Sequence, residues 1–174
     1  VIAIENVRLF NETKEALERQ TATAEILRAM SGSPTDVTPV FETILENAVR
    51  LCGSPQAAVF RFDGQLVHLV ATRNWPADAL SEIAAKYPRP PDPRLMSGRA
   101  ILTGAVAHIE DALTDSTYEP SHAVAGGWRR MLGVPILREG TAVGAINFTW
   151  PDPGHTPERQ VELLKTFADQ AVIA

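Results

Sequence analysis

The sequence predicts an α+β domain built on an antiparallel sheet, and three observations predict it. Two pairs of short apolar runs are each joined by a tight turn, Asp63-Gly64 in one and Glu139-Gly140 in the other. Long helical segments stand at both ends of the chain. The resulting order is helix, helix, strand pair, loops, strand, strand pair, helix. Strands joined mainly by hairpins pair antiparallel, and the long helices then cover one face of the sheet.

Residues 4–30 read as a helix, because good helix formers dominate and neither Gly nor Pro occurs before Gly32. A heptad frame fits this segment. Ala3, Phe10, Leu17 and Ala24 fall at one core position, and Val7, Lys14, Thr21 and Arg28 at the other. One apolar seam beside one polar seam describes a weak coiled coil that sets register more than stability. Packing on its own domain is the alternative; the polarity of the segment favours a parallel dimer helix. Ser31-Gly32-Ser33-Pro34 ends it.

Asp36 is the expected N-cap of a second helix that carries Val37, Val40, Phe41, Ile44, Leu45, Ala48 and Leu51 on one face. Pro39 falls in its first turn, where the missing N–H matters little, and Gly53 stops it. Residues 57–62 and 65–70 flank Asp63-Gly64, a strong hairpin signal. Residues 77–86 predict a short helix, and Pro88, Pro90, Pro91 and Pro93 enforce an extended loop after it. A further short helix is expected over 95–102 and a short strand over 105–109. Residues 110–127 read as loop with a helical turn. Residues 131–137 and 141–150 form the second hairpin, in which Pro135 demands an edge, a bulge or a strand end. Thr156 as N-cap and Pro157 at N1 open a last helix. Its inner face is Val161, Leu164, Phe167, Ala168 and Ala171, and it is expected to run on to Ala174.

Composition bounds the function. The chain has 174 residues, one domain's worth, and is 45% hydrophobic and 21% charged, as ordinary globular domains are. A net charge of −5 argues against nucleic acid or an anionic membrane as a partner drawn by bulk charge. The single cysteine, Cys52, excludes an intrachain disulfide and a multi-cysteine zinc site, and fits a reducing compartment. Apolar runs are too short for a membrane span or a signal peptide, so a cytoplasmic location is expected. The chain opens Val1-Ile2-Ala3 without an initiator Met and closes Val172-Ile173-Ala174. That shared tripeptide suggests one unit of a tandem array; a coincidence of common helix-core residues is the other reading.

Three stretches carry a resemblance to a known family. Residues 131–140, from Met131-Leu132-Gly133-Val134-Pro135 onward, with Val143-Gly144-Ala145-Ile146 after them, resemble the last hairpin of GAF domains. Glu162-Leu163-Leu164-Lys165-Thr166-Phe167-Ala168-Asp169-Gln170 and the residues after them resemble their C-terminal helix. Pro93-Arg94-Leu95, Gly98-Arg99-Ala100 and Thr103-Gly104 are similar to the family's middle stretch, with Arg94 interposed. The opening residues 1–10 are similar to the segment downstream of that closing helix in multidomain bacterial sensor proteins. The resemblance therefore implies the end of a preceding domain's exit helix and linker over residues 1–20, and a GAF domain over 21–174. It implies a sheet of five to six strands, with the terminal helices on one face and short helices and loops over a pocket on the other. It also implies a regulatory or sensory domain of a signalling protein, of the sensor histidine kinase or nucleotide cyclase type. Such a domain would be a homodimer through its N- and C-terminal helices and would either bind a small ligand or act as a ligand-free dimerising spacer.

No chemistry-bearing motif points to catalysis. The phosphate-binding Gly-rich loop, the nucleophile elbow and the His-Glu-x-x-His metal signature are absent, so no catalytic residue is assigned. GAF enzymes that reduce methionine sulfoxide need several cysteines; Cys52 stands alone near the end of an amphipathic helix, where it reads as a small buried hydrophobe. His68, His108, His122 and His155 are scattered, with no i, i+4 pair, so no metal site is assigned. Covalent bilin attachment lacks its cysteine near His122, and the cyclic-nucleotide signature of the family is not recognisable. A polar small-molecule pocket remains, its cofactor unspecified. Lys86, Arg89, Arg94 and Arg99 make residues 86–100 locally basic against Asp92 alone, and Arg129, Arg130 and Arg138 form a second cluster. Arg94, Arg99 and Arg130 are therefore candidates to meet an acidic ligand, with Trp75, His108, His122 and Trp128 as the aromatic and polar walls. In the competing reading the arginines clamp Glu110, Asp111, Asp115 and Glu119, and the tryptophans are core.

Overall fold

A computed structural model describes residues 2–32 and 37–172, with side chains for 4–27 and 37–172. The elements run α1 (Ile2–Gly32), α2 (Thr38–Cys52), β1 (Gln56–Phe62), β2 (Val67–Arg73), α3 (Ala77–Ala84), α4 (Met96–Thr103), β3 (Ala107–Ile109), α5 (Ser121–Gly126), β4 (Arg130–Arg138), β5 (Thr141–Trp150) and α6 (Glu158–Ala171). The strands form one five-stranded sheet of order β2-β1-β5-β4-β3, antiparallel at every pairing. The α+β fold and the strand number agree with the expectation.

Both hairpin turns form where the turn residues stand. Asp63 Oδ1 accepts from the backbone N–H groups of Gln65 and Leu66 at 2.9 and 2.7 Å, closing β1 onto β2. Glu139 and Gly140 both adopt positive φ (50° and 79°), the geometry of a two-residue turn whose twist matches the strands it joins. Pro135 sits where β4 has lost one neighbour, because β3 ends at Ala107 opposite Gly133; the register shifts next to it, between Ile136 and Leu137. The sheet therefore tolerates a residue without an N–H at this point.

Alternation along the strands sorts the core into two layers. Ala57 and Val59 of β1, Leu132, Val134 and Ile136 of β4, and Ile146 and Phe148 of β5 face one side. There they pack against Ile44, Leu45 and Ala48 of α2, Leu164 and Phe167 of α6, and Ala22 and Ile26 of α1. Ala58, Phe60, Met131 and Ala145 face the other side, under α3, α4, α5 and their loops.

Several boundaries differ from the sequence reading. Val37 occupies the cap position of α2 without a side-chain hydrogen bond and is exposed there instead of joining the inner face; Asp36 lies outside the described residues. At α6 the cap position falls on Pro157, whose carbonyl accepts from the N–H groups of Gln160 and Val161, while Thr156 is buried one residue earlier. That helix ends at Ala171, and Ile173 and Ala174 lie outside the described residues. The strand expected over 105–109 shrinks to three residues, and the loop over 110–127 holds α5.

Phe148 is fully buried at the centre of the larger layer. Phe148→Ala should cost about 3–5 kcal/mol, read as a lowered urea midpoint. Leu102→Ala, at an exposed position of α4, should change stability by no more than about 0.5 kcal/mol.

Candidate functional site

The second layer closes over a small void. Phe60 from β1, Met131 from β4, and Asn147 and Thr149 from β5 form its floor. Trp75, Ile83 of α3, Tyr87, Leu95, Met96, Ser97, Tyr118, His122 of α5 and Trp128 form its walls and roof. The space left among them is about 20 Å3, room for roughly one water molecule. Rings fill the rest: Trp75 and Trp128 lie 5.4 Å apart at 39°, and Phe60 and Tyr87 lie 5.3 Å apart at 46°. Both pairs are tilted, with centroids at the separations typical of aromatic contacts.

Trp128 holds its place through the backbone beside it. Its indole lies directly on the α-carbon of Gly126, where a Cβ would meet the ring at 1.6 Å, so only glycine fits there. Gly127 then turns the chain through positive φ (71°) into β4.

The lining contains no Asp, Glu, Lys or Arg. Its polar groups are nonetheless several. Asn147 is 6% exposed, and among the described residues nothing bonds its Oδ1. The ring nitrogen of Trp75 is likewise buried without a partner. That of Trp128 lies against the Tyr118 hydroxyl but makes no well-formed hydrogen bond. Burial pushes the Tyr118 and Tyr87 hydroxyls above the ordinary phenol range, the latter offset by a hydrogen bond with Ser97. Burial first, and then the charges of Lys86 and Arg89, lower His122 to about 4, so its imidazole stays neutral.

The seven predicted site residues divide. Trp75, His122 and Trp128 line the void together. Arg94 stands outside it, binding both carboxylate oxygens of Asp92 at 3.1 and 2.8 Å. Arg99 donates to the Pro93 carbonyl and the Thr117 hydroxyl and reaches Asp115 Oδ2 at 3.5 Å. With Arg129 held bidentate by Asp111, Arg99 and Arg129 act as clamps between loop segments, while the Arg94 pair stays within its own loop. His108 and Arg130 fall on the opposite side of the sheet. In β3, Ala107 and Ile109 point to the void's layer, so His108 between them points away, and it stacks on His155 at 6.4 Å. Arg130 precedes Met131 and so shares the helix side with Leu132, its guanidinium 4.5 Å over the Trp150 ring.

The residues not foreseen are the tyrosines, Ser97 and, above all, Asn147. A signal for Asn147 was present: a carboxamide inside Ala145-Ile146-Asn147-Phe148-Thr149, at the same parity as Ala145 and Thr149. Cys52 lies in the helix layer, its thiol pushed up to about 12 by burial. No group of His, Cys, Asp and Glu among the described residues is arranged to hold a metal ion, and no described helix is long and apolar enough to cross a membrane.

A family model described as GAF domain matches residues 34–174. No curated protein matches. Among solved structures, the chain is similar to the GAF domain of a phosphoenolpyruvate-protein phosphotransferase from Coxiella burnetii, at a TM-score of 0.72 and 16% identity over 91% of this chain and 92% of that one. It is similar to the free methionine-R-sulfoxide reductase of Neisseria meningitidis, solved with its substrate, at 0.69 and 17% over 92% and 89%. It is also similar to a domain of a putative two-component sensor histidine kinase protein from Sinorhizobium meliloti 1021, at 0.63 and 16% over 80% and 90%.

His122 provides a pH test of the site. An unfolded histidine titrates near 6.5 and the folded one near 4, so between these values the unfolded chain binds the extra proton and folding weakens as pH falls. The urea midpoint of the wild type should fall from pH 6.5 toward 4 more steeply than that of His122→Gln. Parallel curves would show that His122 is not held neutral.

Proposed function

We propose that this chain, which belongs to the GAF domain family, is a regulatory domain of a signal-transduction protein that converts ligand occupancy of the sheet-face void into a change at its terminal helices. The observation that carries the reading lies on one strand. Asn147, which lines the void, stands between Ile146 and Phe148, which pack under the helices. A rearrangement around Asn147 therefore acts on the helix layer within one residue. A ligand biases such a domain only by its differential affinity for two arrangements. The likeness to a sensor histidine kinase domain supports a kinase-type output outside residues 1–174, with adjacent signalling domains in the same chain and a cytoplasmic location. Reduction of methionine sulfoxide, the activity named for one similar structure, has no support from a single buried cysteine, and the chain is read as non-catalytic.

The output arm is a homodimer. Along α1, Ala22 and Ile26 are buried against the domain, and Glu15 and Thr23 contact α6 through Arg159 and Gln170. Phe10 and Leu17 are 69% and 62% exposed, and with Ala24 they lie roughly half a turn round the helix from that buried side. This exposed seam repeats every seven residues and matches the predicted coiled-coil position. On the family resemblance, residues 1–20 are proposed as the exit helix and linker of a preceding domain, and the domain proper as 21–174. The near-closed void favours a second reading, a ligand-free spacer that dimerises and connects.

Two measurements test these readings. Sedimentation should show a dimer that Phe10→Glu with Leu17→Glu converts to a monomer, with the unfolding midpoint of the domain at low concentration unchanged; a wild-type monomer at high concentration overturns the dimer. A melting temperature raised by members of a metabolite panel supports sensing, and one that ignores the whole panel leaves the spacer.

A further inference from the structure

We propose that a cleft on the helix side of the sheet binds a medium-chain aliphatic carboxylate, its tail between α2 and α6 and its head on Arg61 and Arg138. The cleft lies across the sheet from the void described above, and the proposal does not rest on the sensory reading.

The cleft originates in the strands. Arg61 of β1, Gly144 of β5 and Ile136 of β4 stand abreast. A Cβ on Gly144 would meet the Phe60 carbonyl oxygen at 2.4 Å, so the middle strand presents no side chain at this level. Just beyond, Ile136 pairs with Gly144 but Leu137 with Ala142, which leaves Val143 as an extra residue. Such a bulge bends its strand and interrupts regular pairing. The helices also terminate over this level. Helix α2 begins at Thr38 and α6 finishes at Ala171, so Phe41 and Ala171 form the upper walls. The space enclosed is about 220 Å3, and roughly 150 Å3 admits an apolar ring in an engineered protein core.

The tail is decided by the walls. Phe41, Val59, Ile136, Val143 and Ala171 supply them, all but Val143 buried. The lining holds no carboxylate, amide or hydroxyl side chain. An aliphatic chain loses no hydrogen bond on entering such a cleft and removes apolar surface from water.

The head is decided by Arg61 and Arg138, the two polar side chains of the lining. Arg89, Arg94, Arg99 and Arg129 each hold a carboxylate. Among the described residues Arg61 makes no hydrogen bond or ion pair, and Arg138 makes one hydrogen bond, to the Val172 carbonyl oxygen at 3.1 Å. Two cations without a counter-charge beside an apolar cleft select an anion, and a carboxylate matches the guanidinium fork. Because Arg138 also reaches Val172, the head group would lie at the last turn of α6. Residues 33–36, outside the described residues, lead into Val37 at the rim. They and a second copy of the chain are the rival occupants, and the test separates them.

The whole chain is titrated calorimetrically with octanoate, hexanoate and octyltrimethylammonium. Octanoate should bind at one site, and hexanoate about tenfold more weakly for the two methylenes lost. The cation should not bind. Arg61→Gln with Arg138→Gln should weaken octanoate binding at least about tenfold, the loss expected for hydrogen bonds to a charged group. Val143→Trp, which fills the cleft and keeps both charges, should abolish binding; if it does not fold, Val143→Phe carries the same comparison. The proposal is overturned by a cation bound as tightly as octanoate, by an arginine pair whose loss has no effect, or by full binding to the filled variant. A wild type that does not bind octanoate overturns it too, and binding that then emerges with Asp36→Asn shows the chain's own linker in the cleft. Sedimentation of the double arginine variant supplies the last arm: a lowered dimer content places a second copy there and overturns the small-ligand site.

Discussion

The sheet is buried on both faces, and strict side-chain alternation on β1, β4 and β5 decides what each face is made of. Toward α2 and α6 it presents Val59, Leu132, Val134, Ile146 and Phe148, bulky and wholly apolar. Toward α4 and the loops it presents Ala58, Ala145, Asn147 and Thr149, small or polar, with Phe60 and Met131 among them. The first set packs directly under α2 and α6. The second leaves depth that the loop segments must fill with Trp75, Tyr87, Tyr118, His122 and Trp128. The place of the void is therefore set by the residue sizes on one side of three strands.

Filling that depth from loops requires the loops to hold still, and their charges do this. Asp92 gathers Arg89 and Arg94, and hydrogen bonds to Arg94 hold its carboxyl below the usual range. Arg99 ties α4 to the segment around Asp115 and Thr117, and Arg129 ties the start of β4 to Asp111. Backbone bonds run the same way, from Glu119 N–H to the Arg94 carbonyl and from Ala112 N–H to that of Arg129. Each exposed pair contributes little by itself. Together they fix the entry and exit of the segments that carry Tyr118 and His122.

Local encoding separates the features that were legible in the sequence from those that were not. Hairpins were readable because Asp63-Gly64 and Glu139-Gly140 encode their turns locally, and α2 and α6 because their apolar spacing is long and regular. Cap positions were not: Thr156 is drawn into the core and Pro157 takes the helix start, a choice made by packing. Within the site, Trp75 and Trp128 were foreseen as large rings at loop-strand boundaries, with His122 on a loop near them. His108 and Arg130 looked equivalent to them in composition but stand at the wrong parity, a difference that only the register of β3 and β4 reveals. The arginines were attractive as anion ligands because charge is visible in a sequence, whereas their nearest carboxylates, two to eighteen residues away, are brought beside them by the fold. Asn147 was hidden because one carboxamide in an apolar strand reads as noise until its neighbours are known to face the other way.

On the proposed sensory reading, the same alternation sets the terms on which occupancy of the void would reach the helices. Packed interiors respond to displacement by repacking between discrete arrangements, not by stretching. A shift at Asn147 would also move the backbone that holds Phe148 and Ile146, both without exposed surface, against α2 and α6. Helix α6 is joined in turn to α1, the helix carrying the exposed seam, by Arg159 on Glu15 and Gln170 on Thr23. The energetic requirement is steep: carrying such an equilibrium from 1:99 to 99:1 takes roughly a 10⁴-fold difference in affinity between the two arrangements.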